Sequence, residues 1–452
     1  MIRFRLAHVQ SSGRRSKGDT ALNPFTRRFW NPKQFRLLAL LLVLVSACAA
    51  QSGAPVIEVP NAPNSAAQQA KPYVVLVSLD GFRYDYPKKY EAPNLVALGR
   101  RGASAPGGMI PSYPSSTFPN HLAIITGLYP EHHGIVNNLF YDPALKERYT
   151  YTDPKISQDG RWYGGTPLWS LAEKQGMRAA CYFWPGSEAE IAGERPSYYV
   201  HFDPSIPVDT RIDQIISWLQ LPPAQRPHFL TLYIEDVDGA GHQFGPDSPE
   251  VAAAVKHVDA EVGTLSQKLD ALHLPIDLIV IADQGMEKEI GPWVSLNQYA
   301  DLSQAETAGP LIYAKTEADT EKIYKSLNGA SEKFKVYRRA SIPATLHYDA
   351  NSRTGDPVVI ATGPYPIRAI APPPDKDRPF AVGAHGFDPA IMPTMKAIFF
   401  ATGPDIRAGA ELPPFENVNV YPLIAKILGL EIGAVDGKLS VVQSALKSPP
   451  QK

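Results

Sequence analysis

Three short apolar runs in this chain each stop at an acid: YVVLVSLDG closes on Asp80, FLTLYIEDVD reaches Asp238, and DLIVIADQG closes on Asp283. A run that is apolar at every position, rather than at alternate ones, is a strand buried on both faces, and such strands belong to parallel sheets covered by helices. Open α/β sheets bind their ligands at the carboxyl edge of the strands, so the three carboxylates are expected at one edge. His242, in DGAGH, and His385, in VGAHGFD, add two imidazoles. Carboxylates and imidazoles meeting at one edge predict a metal centre. Gln284 follows Asp283 where a further imidazole would have extended the set.

Helical stretches alternate with the strands. One lies around Pro93 to Arg101, another from His121 to Thr126, an amphipathic one near Thr210 to Leu219. Thr117 stands just ahead of the second and is expected at its amino terminus. Ser248 followed by Pro249 and Glu250 offers an N-cap with proline in the first turn, opening a long helix to about Leu272. MKAIFFATGP reads as a late strand and VYPLIAKILGL as a closing helix. The alternation predicts an α/β fold, a sheet sandwiched between helices. Between residues 291 and 380 the acid-ended strands cease: GPLIYAKTEADTEKIYKSL reads as strand then helix, and YRRASIPATLHY with DPVVIATG as further strands. This segment is expected to be an inserted cap, dividing a catalytic core into residues 72–290 and 381–446.

Charge is divided unevenly along the chain. Residues 1–47 hold nine of the 44 Lys and Arg but a single acid, Asp19, so the remainder carries more acids than bases. That excludes a long nucleic-acid groove. The basic start leads into the apolar run Leu37 to Val45, too short to span a bilayer and shaped like a signal-peptide core. Val45-Ser46-Ala47-Cys48 resembles a bacterial lipobox, which implies a signal peptide over 1–47, a lipid anchor at Cys48, export, and an outer-membrane location facing periplasm or exterior. An ordinary cleaved signal beside a cysteine is the alternative. Residues 48–71, rich in Ala, Pro, Gln, Asn and Ser, read as a flexible tether. The other cysteine, Cys181, lies among apolar residues and reads as a core thiol.

Two divalent metals about 4 Å apart clamp the attacking and leaving oxygens of an in-line phosphoryl transfer and need several protein ligands each. Asp80, Asp238, His242, Asp283 and His385 are the ligand candidates, and a mixed carboxylate and imidazole set suits zinc. Thr117 supplies a nucleophile whose hydroxyl needs a metal to stabilise its alkoxide, with helix N–H groups nearby for a phosphate. His121, His132 and His133 read as packing or surface residues.

SLDGFRYDY, SYPSSTFPNHLAIITGLYPEHHGIVNN, YFWPGSEAEI, DVDGAGHQFGP, ADQGM, AHGFD and FENVNVYPLIAKILGL together resemble the nucleotide pyrophosphatase/phosphodiesterase family of the alkaline phosphatase superfamily. The resemblance covers about residues 71 to 432. It implies an alkaline-phosphatase-like α/β/α sandwich and two zinc ions. Thr117 would be the nucleophile, forming a phosphothreonine intermediate, and would bind one zinc with Asp80 and Asp283. Asp238, His242 and His385 would hold the other. Asn138 would donate to a phosphate oxygen beside the backbone N–H of Phe118, and Phe118 with Tyr199, or Tyr198 in its place, would grip a nucleotide base. The implied reaction is hydrolysis of phosphodiester or pyrophosphate bonds of nucleotides, releasing nucleoside monophosphates; a lipid head group is an alternative diester.

Gln284 departs from this family, which carries a histidine there. Three outcomes follow: Gln284 ligates through its carbonyl and favours magnesium or manganese, a water fills the gap, or the Asp80/Asp283 site is impaired and the chain is a catalytically weakened binding protein. Oligomeric state is not encoded in any feature of the sequence.

Overall fold

A computed structural model of the chain describes residues 55–370 and 383–448. Among these residues nine strands form the central sheet: β1 (Val56–Glu58), β2 (Tyr73–Leu79), β3 (Ala103–Ser104), β4 (Ala179–Tyr182), β5 (Tyr198–Val200), β6 (Phe229–Ile234), β7 (Ile276–Ile281), β8 (Phe399–Thr402) and β9 (Ala410–Glu411). They lie in the order β1-β5-β4-β6-β2-β7-β8-β3-β9. The middle five, β5 to β7 in that order, are mutually parallel, and β1 and β8 flank them antiparallel. Every residue of β2, β6 and β7 is buried, as their mainly apolar sequences require, with Ser78, Thr231 and Asp277 buried among them.

Helices cover both faces. Against one pack α1 (Pro93–Arg101), α4 (Val208–Leu219) and α6 (Pro249–Ala271); against the other pack α2 (Thr117–Thr126), α3 (Leu168–Lys174) and α7 (Val420–Leu428). A further helix, α5 (Asp236–Phe244), leads out of β6. The Ser248 hydroxyl accepts from the Val251 N–H at 3.1 Å, capping α6 where the sequence placed its start. The expected α/β sandwich is the observed fold.

Three expectations are corrected. FLTLYIEDVD does not carry its acid at a strand end: β6 stops at Ile234 and Asp238 lies in the first turn of α5. Residues 55–71 are not a tether. Val56–Glu58 add an edge strand to β5, and the buried Asn64 donates to the Pro223 and Arg226 carbonyls while accepting from the Arg178 N–H. Composition had no way to register those long-range partners. Finally, YRRASIPATLHY forms short 3-10 turns at Arg339–Ser341 and Ala344–Leu346 rather than strand, because Pro343 and the left-handed His347 break extension.

Residues 294–369 gather a second apolar cluster that includes Leu296, Ile312, Ile323, Leu327, Phe334 and Val359. It is built from two antiparallel strand pairs, Ala305–Ala308 with Leu311–Ala314 and Phe334–Tyr337 with Val358–Ala361, and the helix Glu317–Leu327. The signal segment, Cys48 and the end of the expected cap at 380 lie outside the described residues.

Candidate metal centre

The carboxyl ends of β2 and β7 and the start of α5 converge. Asp80 directly follows β2, and Gly81 then turns in the left-handed region at φ +69°, so close to α5 that a Cβ there would lie 2.9 Å from Asp238 Cα. Asp283 and Gln284 follow β7; at Gly285 a Cβ would sit 2.0 Å from the Thr394 carbonyl oxygen, so only glycine lets the chain pass. His242 lies one helical turn beyond Asp238 and shares its face of α5. His385 follows the short strand Gly383–Ala384, which pairs with Glu287–Lys288 just past Gln284.

Asp238, His242 and His385 form one cluster. His242 Nε2 is 3.5 Å from Asp238 Oδ2, and His385 Nε2 is 3.6 Å from Asp238 Oδ1. Each ring donates its Nδ1–H to a backbone carbonyl, His242 to Gly383 at 2.8 Å and His385 to Ser115 at 2.9 Å. Those bonds fix the tautomer and turn both Nε2 lone pairs toward the same space, the arrangement of metal-binding histidines. Burial holds His385 down at about 4, so its ring is neutral near pH 7.

The second cluster is made of Asp80, Asp283, Thr117 and Gln284. Thr117 opens α2, and the Gln284 amide lies 3.4 Å from both its Oγ1 and Asp80 Oδ1. Asp80 Oδ2 accepts from the Tyr233 hydroxyl at 2.5 Å, and Asp283 Oδ1 from the Gly81 N–H at 3.3 Å. Burial, with Asp283 and Asp238 adding repulsion, pushes Asp80 well above the carboxylate range; burial likewise pushes Asp283 up to about 8. Carboxyl groups so placed call for a positive charge. His121 also approaches, its Nδ1 3.6 Å from Asp283 Oδ2. Both its nitrogens are committed, however: Nδ1–H donates to the Thr117 carbonyl and Nε2 accepts from the Ser78 hydroxyl, each at 2.8 Å. It keeps its neutral form, burial holding it down at about 3, and it offers no lone pair to a cation.

A cation fits these residues. Asp238 Oδ1, Asp283 Oδ2 and Gln284 Oε1 are buried without a hydrogen-bond partner, and an unpaired buried acceptor costs about 1–3 kcal/mol. The mixed oxygen and nitrogen donors are those of divalent metals.

Asn138 lies beside the nucleophile candidate, its Oδ1 accepting from the Phe118 N–H at 3.0 Å. The Phe118 ring packs against Tyr151, centroids 5.5 Å apart. Tyr199 is not brought to that ring; it is buried in β5, three strands from β2, with its edge toward His201. Tyr198, the other choice, is buried in the same strand and stacks on Trp218. Tyr151 does lie near the carboxylates, burial raising its hydroxyl with help from the Asp238 and Asp80 charges, and the half-exposed Phe202 packs edge-on to Tyr233, the partner of Asp80. Sequence reasoning passed over Tyr151, Phe202 and Tyr233; HFDP just beyond β5 was the one local signal for Phe202. His133 is buried and bonded to the Pro119 carbonyl and the Ile135 N–H, His132 pairs with Asp436 at the surface, and Cys181 is a buried free thiol.

The family model described as type I phosphodiesterase/nucleotide pyrophosphatase matches residues 74–388. Human ectonucleotide pyrophosphatase/phosphodiesterase family member 1 is 35% identical over 86% of this chain and 43% of its own length. A venom phosphodiesterase of Crotalus durissus collilineatus is 36% identical over 83% of this chain and 46% of its own. The chain thus spans less than half the length of these two relatives. An uncharacterized pyrophosphatase/phosphodiesterase of Schizosaccharomyces pombe is 35% identical over 79% of this chain and 77% of its own. Among solved structures, murine ectonucleotide pyrophosphatase/phosphodiesterase 5 aligns with a TM-score of 0.76 at 29% identity, covering 83% of this chain and 100% of that one. An inactive threonine-to-alanine variant of the murine protein, in complex with AMP, aligns with a TM-score of 0.77.

Proposed function

The chain belongs to the type I phosphodiesterase/nucleotide pyrophosphatase family, and from that premise we propose that it hydrolyses phosphodiester or pyrophosphate bonds of nucleotides, releasing nucleoside monophosphates. The observation that carries this reading is the position of Thr117, at the amino terminus of α2 with its hydroxyl 3.4 Å from the Gln284 amide, which also reaches Asp80. The AMP complex of the murine protein supports a nucleotide as the ligand class.

Asp238, His242 and His385 would hold one divalent cation, and Asp80, Asp283, Thr117 and Gln284 a second. Bound there, such ions supply positive charge that stabilises the threonine alkoxide and the charge gathering on the phosphoryl oxygens. Thr117 Oγ1 forms a bond to phosphorus as the bond to the leaving group breaks, and the leaving oxygen takes up a proton. The product is a nucleotidyl ester of Thr117, the phosphothreonine intermediate. Water then attacks the same phosphorus, the threonine oxygen leaves and regains a proton, and the nucleoside monophosphate departs. The amide N–H of Asn138, whose Oδ1 is held by the Phe118 N–H, donates to the oxygen that carries the extra charge. Phe118, Tyr151 and Phe202 offer ring faces to a base, which accounts for tolerance of base identity.

Hydrolysis of the nitrophenyl ester of thymidine monophosphate tests the proposal. Wild type is expected to release nitrophenol and Thr117→Ala to lose at least about a thousandfold in rate. A wild type no faster than Thr117→Ala, with Gln284→His active, would identify a weakened binding protein instead.

The reading extends to two segments. Residues 291–380 act as a cap on the core, their separate apolar cluster supporting this. The amino-terminal segment makes the protein an exported lipoprotein anchored at Cys48; no described helix is long and apolar enough to cross a membrane. Cys48→Ala is expected to shift the protein from the membrane to the soluble fraction, and unchanged partitioning contradicts the anchor.

A further inference from the structure

The two clusters at the sheet edge differ in the atoms they offer. Around Asp238 two imidazole Nε2 lone pairs face a carboxylate. Around Asp80 the imidazole close enough to group with the carboxylates is His121, and it spends Nδ1–H on the Thr117 carbonyl and Nε2 on the Ser78 hydroxyl. The donors left are the carboxylates of Asp80 and Asp283, the Thr117 hydroxyl and the Gln284 amide.

Gln284 is fully buried and aimed at this group. One end of its amide lies 3.4 Å from Asp80 Oδ1 and from Thr117 Oγ1, while Oε1 has no hydrogen-bond partner. Asp283 Oδ2 is buried and unpartnered as well. A half-turn about the last side-chain torsion exchanges amide nitrogen and oxygen without moving the stem, and so brings the oxygen between Asp80 and Thr117. The cluster then presents oxygen alone. Carboxylate, carbonyl and hydroxyl oxygens suit magnesium and manganese, whereas imidazole suits zinc.

We propose that the two sites take different metals: zinc at Asp238, His242 and His385, and a hard, oxygen-preferring divalent cation, manganese or magnesium, at Asp80, Asp283, Thr117 and Gln284. The proposal rests on the phosphodiesterase reading for the purpose of the ions. Zinc exceeds manganese at any one site at equal concentrations, so the difference between the sites emerges where manganese is in large excess over zinc.

The test is a metal count. Full-length protein is stripped with a chelator and dialysed against zinc at two equivalents per chain with a large excess of manganese; bound metals are then measured by mass spectrometry. Wild type is expected to hold one zinc and one manganese, and Gln284→His two zincs. Gln284→Glu, which keeps an oxygen donor, should match wild type, and decides alongside it if Gln284→His does not fold. His242→Ala should lose the zinc and keep the manganese. Two zincs in wild type, zinc with no manganese, or loss of manganese rather than zinc in His242→Ala each overturn the assignment. Hydrolysis of the nitrophenyl ester, assayed on the same samples, separates the two readings. A mixed-metal chain without activity defeats the phosphodiesterase reading alone; an active chain with two zincs defeats the metal assignment alone.

Discussion

Asn138 bonds the Phe118 N–H at the first turn of α2, one residue past the candidate nucleophile. A donor aimed at developing oxyanion charge is worth about 10²–10³ in kcat, so Asn138→Ala should lose that much while the melting temperature stays near wild type. A kcat within about twofold of wild type would remove Asn138 from the chemistry. The ligand candidates were legible residue by residue because each sits in a short stretch with an acid or imidazole after an apolar run. Their partners were not. Tyr233 on Asp80, and Ser78 on His121, are contacts between separate segments that no local pattern records. Tyr199 was misjudged for a related reason. An apolar strand does not reveal which aromatic is its last buried residue, and the ring that packs edge-on to Tyr233, the partner of Asp80, is Phe202, two positions beyond the end of β5.

At the scale of elements, β2, β6 and β7 were readable because strands buried on both faces are apolar on both faces rather than at alternate positions. Where β6 gives way to α5 was not. Asp236 to Phe244 has helical spacing over too few residues to show against the preceding strand, so Asp238 seemed to end it. Arg211, buried on α4, fixes this junction by donating to the Tyr233 carbonyl and to both oxygens of Glu235. Removing one partner of a buried pair costs about 3–5 kcal/mol, so Arg211→Ala should lower the unfolding free energy by that order, shifting the urea midpoint down, and weaken metal binding through α5. A midpoint unchanged in urea would show the junction does not depend on it. Gly81→Ala tests the approach of β2 to α5. The side chain must occupy a left-handed conformation and collide with Asp238, costing about 1–3 kcal/mol and, on this account, metal affinity as well. Full metal content in a stable Gly81→Ala protein would contradict that coupling.

Over the described residues, the sheet also buries a carboxyl group away from the site. Asp277 on β7 is buried, its Oδ1 accepting from the Asp405 N–H; burial, with the Asp405 carboxyl adding to it against the Lys447 charge, pushes it up to about 7. Unfolded, an aspartate titrates near 3.9, so the folded state binds the proton more tightly. Its contribution to stability is complete below about pH 4 and is lost as pH rises through about 7. Against Asp277→Asn, which cannot ionise, wild type should lose on the order of 1–3 kcal/mol over that window in urea titrations; parallel profiles would refute the assignment. The metal centre acts in the same currency: three carboxylates gathered at one edge should make the stripped protein melt several degrees below the loaded one. Sequence predicted the sandwich and the edge on which the site lies. It did not predict that residues 55–71 close the sheet, since an added edge strand is recognised by its neighbour and not by its composition. The central claim, that Thr117 carries the nucleotidyl group, is tested most directly by acid-quenching the enzyme during turnover of the nitrophenyl ester and measuring peptide masses. The account predicts a thymidine monophosphate adduct on Thr117, absent from Thr117→Ala. Undiminished turnover in that variant, or an adduct on another residue, would contradict it.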